Sequence, residues 1–250
     1  MSKKTILAVA LATLAFGQMA KAQTNFQVFY DFGRKHVTTT LEGFYNDNWG
    51  NTFFFIDYDF NNRDGKEIIS PNNTYFEIAR CLNFWHNVPV LNGFSLQVEY
   101  NGGFGTWGNL NGVPGVDYGA FPVNNAFLFG IDYFIHSKDF KNTLNLKVLY
   151  KHFIGLKSNV PLQFTAVWGL QDLFTAKGLR FSGFLDVWCE GNKVVVLSEP
   201  QLWYAVGQWF GVPNLNLGGE VELSYNFAGL EASTGKAFNV LPCLGAKWVF

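Results

Sequence analysis

The chain has 250 residues, with 18 Lys or Arg against 19 Asp or Glu, a formal net charge of -1. That balance excludes the basic footprint of a nucleic-acid binder, and 48% hydrophobic residues exclude intrinsic disorder. Aromatics reach 18% while charged residues are only 15%; three Cys exclude a disulfide scaffold, and a mean hydropathy of +0.06 is too low for a bundle of spanning helices.

Met1 to Lys4 form a basic start, residues 5–16 are an Ala/Leu-rich apolar run, and Ala20-Lys21-Ala22 fits a small-x-small cleavage site. This predicts a secretory signal peptide over residues 1–22 and a mature domain over 23–250. The run is shorter than the ~20 residues of a spanning helix, and no Cys follows the site to carry a lipid. Residues 23–250 hold no apolar run of ~18 residues, so a closed β-barrel is the remaining way across a bilayer.

From residue 25 onward the sequence alternates at the period of a strand. Twelve strands are predicted: 25–34, 36–46, 51–60, 73–84, 93–102, 123–135, 142–154, 160–170, 178–190, 194–207, 214–227 and 237–250. In the first, Phe26, Val28, Tyr30 and Phe32 oppose Asn25, Gln27, Phe29 and Asp31. The fourth is the weakest, because Arg80 shares a face with Phe76 and Ile78; a bulge or a rim position accommodates it. The eleventh is the cleanest, with Leu215, Leu217, Val221, Leu223 and Tyr225 opposing Asn216, Glu220, Glu222 and Ser224. The three longest hydrophilic or Gly-rich linkers, 61–72, 103–122 and 228–236, all fall on one side, as outer loops do when the N-terminus is periplasmic. The last strand alternates to Phe250, an aromatic end resembling the recognition signal of outer-membrane barrels. The expected fold is all-β, a single transmembrane antiparallel barrel of about 12 strands in the bacterial (Gram-negative) outer membrane. Its partners are outer-membrane lipid and, through the strand ending at Phe250, the barrel assembly machinery.

If the apolar face meets lipid, the other lines the lumen. There acids outnumber bases, and aromatics stand among the charges: Phe29, Asp31, Glu42, Phe44, Phe53, Phe55, Asp57, Glu77 and Glu99 are the candidate solute-binding residues. A solute ring stacked on aromatics gains ~1–3 kcal/mol, carboxylates hydrogen-bond sugar hydroxyls, and an acidic wall repels phosphate. The alternative is that the rings fill a narrow barrel while the acids pair with Lys147, Lys151, Arg180 and Lys247.

Leu41-Glu42-Gly43-Phe44, Trp49 and Asp57 have the spacing E-x-F-x4-W-x7-D, which resembles strands two and three of the nucleoside-specific channel-forming outer-membrane proteins, the Tsx-like porins. Tyr75-Phe76-Glu77-Ile78 is similar to their fourth strand, and Gly245 to Phe250 to their aromatic end. The resemblance implies a monomeric twelve-stranded channel passing nucleosides, with Glu42, Phe44 and Asp57 in the lumen. The chain lacks much of the Asp-rich loop material of that family.

Chemistry other than passage has little support. A barrel phospholipase or protease needs His beside a carboxylate at the outer rim; only His36, one hairpin from Asp31, offers that, and a solvated loop His is the simpler reading. Cys81, Cys189 and Cys243 lack C-x-x-C spacing, and Gly102 to Gly108 lacks the Lys-Ser/Thr of a phosphate loop. The expectation is therefore a non-enzymatic channel without cofactor or metal, selective for nucleosides or similar small solutes. A barrel hydrolase or a plugged structural barrel is the alternative.

Overall fold

Alternation at period two leaves each strand one apolar edge-on face, and such strands bury their backbone groups only by pairing on both sides. The computed structural model describes residues 22–60, 73–108, 118–123 and 125–250. Except for Ala22, the predicted signal peptide lies outside the described residues, as do residues 61–72 and 109–117 of the expected outer loops.

Twelve antiparallel strands form the wall. They are β1 (Ala22–Asp31), β2 (His36–Asp47), β3 (Gly50–Phe60), β4 (Asn73–Leu82), β5 (Phe94–Gly108), β6 (Tyr118–Pro122 and Ala126–His136), β7 (Asn142–Phe153), β8 (Leu162–Gln171), β9 (Leu179–Glu190), β10 (Lys193–Ser198 and Gln201–Tyr204), β11 (Leu215–Tyr225) and β12 (Phe238–Val249). Each pairs with its sequence neighbours, and β1 pairs with β12 from Asn25–Val249 to Asp31–Cys243, which closes the barrel. Among the described residues, helix is confined to two 3-10 turns, Leu173–Thr175 and Val206–Phe210, and one short helix, Leu230–Thr234.

Two strands are interrupted, each for a local reason. In β6 the pairing steps from Asn101–Ala126 to Phe104–Pro122, three positions along β5 against four along β6, so the register shifts by one residue. Beyond it β5 continues to Gly108 against Tyr118–Pro122, so the two ends of the expected 103–122 loop are paired strand. In β10 the break falls at Glu199-Pro200, where proline has no N–H for the ladder. Register is kept across it: Ser198 pairs with Leu223, Gln201 with Glu220, and the Val221 amide donates to the Pro200 carbonyl at 3.1 Å.

The two faces separate as the alternation requires. On β1, Phe26, Val28 and Tyr30 are 40–43% exposed on the outside, while Asn25, Gln27, Phe29 and Asp31 are 1–3% exposed within. Leu96, Val98, Phe127, Phe129, Ile131, Val148, Phe164 and Val240 continue the exposed apolar outer band. Arg80, outward on β4, lies at the turn end, where it reaches Asp47 at 2.8 Å and Thr52 at 3.1 Å. That is the rim position the sequence required.

Candidate functional site

All nine candidate residues stand on the inward set of positions, as the ladders fix: Thr40 pairs with Asp57, Glu42 with Phe55, Phe44 with Phe53, Phe55 with Glu77 and Ala79 with Glu99. Most of them form one strip across β2 to β5. The Phe53 and Phe55 rings are 6.0 Å apart, and Phe55 lies 5.8 Å from Tyr75. Tyr75 donates to Glu77 at 2.7 Å, and Asn101 donates to the same carboxylate at 2.9 Å. Thr40 donates to Asp57 at 2.5 Å, Asn25 to Glu42 at 2.7 Å and Gln97 to Glu99 at 2.6 Å. Phe44, 38% exposed, opposes Phe53 one step nearer the turn. Tyr75 was missed as a lumen residue, although it shares its parity with Glu77.

Phe29 and Asp31 join a second group, built on β1 and β10 to β12. The Phe29 ring lies 5.5 Å from Trp203, which is on β10, with β11 and β12 between them. The rings come together across glycines: a Cβ on Gly245 would meet the Phe29 ring at 2.6 Å, and one on Gly218 would meet the Trp203 ring at 2.9 Å. Asp31 accepts from the Gly33 and Arg34 amides at 2.7 and 2.8 Å, folding the first hairpin inward. Arg34 then bonds Asp31 at 2.8 Å and Glu222 at 2.5 Å. The expected first strand ran to residue 34, but the strand ends at Asp31 and Arg34 sits in the turn, where alternation assigns no face.

Arg34 apart, the inward cations singled out by the sequence stand away from the acids. Among the described residues, none of Lys147, Lys151, Arg180 and Lys247 forms an ion pair. Lys147 donates to Gln97 and Lys151 to Gln163, both at 2.7 Å. Lys151 and Lys247 each lie 4.3 Å over an indole, of Trp188 and Trp203 respectively. Several inward carboxylates are held by neutral donors instead: Asn145 on Asp132 at 2.8 Å, Gln201 on Glu220 at 2.8 Å and Thr165 on Asp186. The pairing of acids with these four cations, the alternative raised by the sequence, is therefore not what fills the interior. One quadrant is filled by apolar side chains: Ala126, Leu128, Leu149, Phe153, Trp188 and Val195 are at most 6% exposed and in one cluster.

His36 is not the solvated loop residue expected. It opens β2, is 6% exposed, and its Nε2 lies 3.7 Å from Asp59. The Asp59 carboxylate also accepts from Thr38 at 2.7 Å. Cys81 is buried against Gln97, and the three cysteines are unbridged.

No curated protein matches the chain. Among solved structures, OprB of Pseudomonas putida, described at low pH, is 10% identical with a TM-score of 0.37, over 99% of this chain and 97% of that one. A triple mutant of the Rhodopseudomonas blastica porin is also 10% identical with a TM-score of 0.37, over 93% of this chain and 100% of that one. The barrel assignment itself rests on the strand pairing above. A family match runs over residues 22–250, the whole of the barrel, and the chain belongs to that family, described as a domain of unknown function, DUF5020.

Proposed function

We propose that the chain is an outer-membrane channel for passive diffusion of small solutes, nucleosides foremost, in a Gram-negative bacterium. The observation that carries this reading is the inward strip in which Phe53, Phe55 and Tyr75 adjoin Asp57 and Glu77. A nucleobase stacks on such rings for ~1–3 kcal/mol per base, and the adjoining carboxylates accept from ribose hydroxyls. Phosphorylated solutes meet an acidic wall and are repelled. Modest, repeated contacts suit conduction, because a tightly held solute does not leave. On this reading residues 1–22 direct export, the strand ending at Phe250 engages the barrel assembly machinery, and the channel works as a monomer without cofactor or catalysis.

Proteoliposomes carrying the protein should take up adenosine faster than AMP, and Glu42→Ala, Phe44→Ala or Phe55→Ala should slow adenosine entry. Equal entry of both solutes, or of neither, defeats the selective-channel reading. The buried apolar cluster of Leu128, Leu149, Phe153 and Trp188 favours a second reading, a plugged structural barrel. Planar bilayers without a measurable current would support it. Phospholipid hydrolysis by the purified protein would instead bring forward the hydrolase reading.

A further inference from the structure

We infer that the outer wall holds a seat for one acyl chain of a membrane phospholipid, in a hollow across β9 to β12; this goes beyond the channel reading and shares with it only the placement of the barrel in a bilayer. The hollow measures about 410 Å³, and its outward lining is Phe181, Pro200, Leu202, Gly219, Val221 and Pro242. Register explains why the wall is scooped there. Phe181 pairs with Leu202, Leu202 with Gly219 and Gly219 with Leu244, so these four stand in one outward row. Gly219 leaves its place in that row empty, while Leu202 and Leu244 rise on either side of it, 48% and 63% exposed. In the next row Val221 pairs with Pro242, and its amide donates to the Pro200 carbonyl at 3.1 Å. Compact proline rings therefore flank Val221 where longer side chains would close the hollow. The gap is fixed by the ladder itself, because a Cβ on Gly219 would meet the Cys243 carbonyl at 2.1 Å.

Depth and continuity identify the occupant. Gly219 is the fifth of the eleven residues of β11. Four residues at a strand rise of ~3.4 Å place it ~14 Å along the strand from its end. That level lies within a hydrocarbon core ~30 Å thick, where a bilayer presents acyl chains and no headgroups. Leu217, Val240 and Leu244, all about half exposed or more, surround the hollow and make it continuous with the apolar band that meets lipid. Lipid tails are as apolar as leucine, so packing rather than water exclusion holds a chain here. A chain seated in a concave site touches the wall on several sides, and an unfilled hollow forfeits those contacts. Phe181 is the third residue of β9, and Leu202 is third from the end of β10, both near the short-turn end. Short turns are periplasmic in such barrels, so the chain descends from the periplasmic leaflet.

The probe is dipalmitoyl phosphatidylethanolamine, titrated into the delipidated full chain in detergent and counted by native mass spectrometry. Glycerophosphoethanolamine, the same headgroup without chains, is a separate arm. One phospholipid per barrel should be retained saturably, and the chainless arm should not bind. Pro242→Phe, which puts a ring into the hollow, should weaken retention about tenfold or more. Val221→Phe serves as a second filling variant with the same expected loss, and heat-modifiable migration checks that both are folded. Val148→Phe, at a 56% exposed position on the outward face of β7, should leave retention unchanged. Absent or unsaturable retention, chainless binding as tight as the phospholipid, unchanged retention in both filling variants, or an equal loss in Val148→Phe would each overturn the proposal. Current recordings separate the two readings. Retained phospholipid without any current sinks the channel and keeps the seat; current without saturable phospholipid does the reverse.

Discussion

Single side chains set the shape of this lumen as much as strand geometry does. Gly245 and Gly218 let Phe29 and Trp203 lie flat against the wall, since an added Cβ would stand 2.6 and 2.9 Å from those rings. Gly245 is also crowded by backbone, with its hypothetical Cβ 2.8 Å from the Val28 carbonyl. Overpacking of this kind costs ~1–3 kcal/mol. Gly245→Ala should therefore lower the denaturant midpoint in lipid vesicles and, by lifting Phe29 off the wall, reduce single-channel conductance. A variant with wild-type midpoint and conductance would show that the ring is not held in this way. At this scale the sequence was legible wherever a residue sits on a strand: parity put all nine candidate residues on the inward face. It extended the first strand to Arg34, which lies in the turn beyond Asp31, and it read His36 as a loop residue although the second strand was expected to begin there.

At the level of elements, the first hairpin is fastened to a strand far away in sequence. Arg34 joins Asp31 and Glu222, tying the β1–β2 turn to β11 across β12. Hydrogen bonds to charged groups contribute ~1.5–3 kcal/mol, discounted here because Arg34 is 29% exposed. Arg34→Gln should thus cost about 1–2 kcal/mol, read as a lower urea midpoint, and should expose the hairpin to protease. An unchanged cleavage pattern would mean that the turn is held by the Asp31 amide contacts alone. Strand boundaries were largely readable because turns interrupt the alternation. The exceptions have physical causes: a one-residue register shift between Asn101–Ala126 and Phe104–Pro122 conceals the continuation of β5, and Pro200 removes a ladder donor without shifting register.

Across the whole molecule, the pairing of β1 with β12 leaves no open sheet edge, and such a wall unfolds only by breaking ladder bonds on both sides of a strand. Unheated protein should consequently migrate faster in detergent gels than boiled protein; a single band under both conditions would contradict a closed barrel. Inside that wall the contents are uneven. The β2–β5 strip is aromatic and acidic, while β6, β7, β9 and β10 contribute the apolar cluster around Leu128, Leu149 and Trp188.

The sequence by itself determined the strand number, the two faces and the acidic, aromatic character of the inner one, because a side-chain period of two is a local property of the chain. Only the tertiary structure decided which inward groups meet. Phe29 touches Trp203, Arg34 reaches Glu222, and Glu199 stands opposite Glu222 because register and closure bring distant strands together. Parity assigns each residue to a face but carries no information about its neighbour across the lumen. The low charge fraction of the chain follows from the same division: an outer band that meets lipid carries few ions, so the charges collect within, where Arg34 pairs with Asp31 and Glu222 while Lys147, Lys151 and Lys247 lie on amides or indoles.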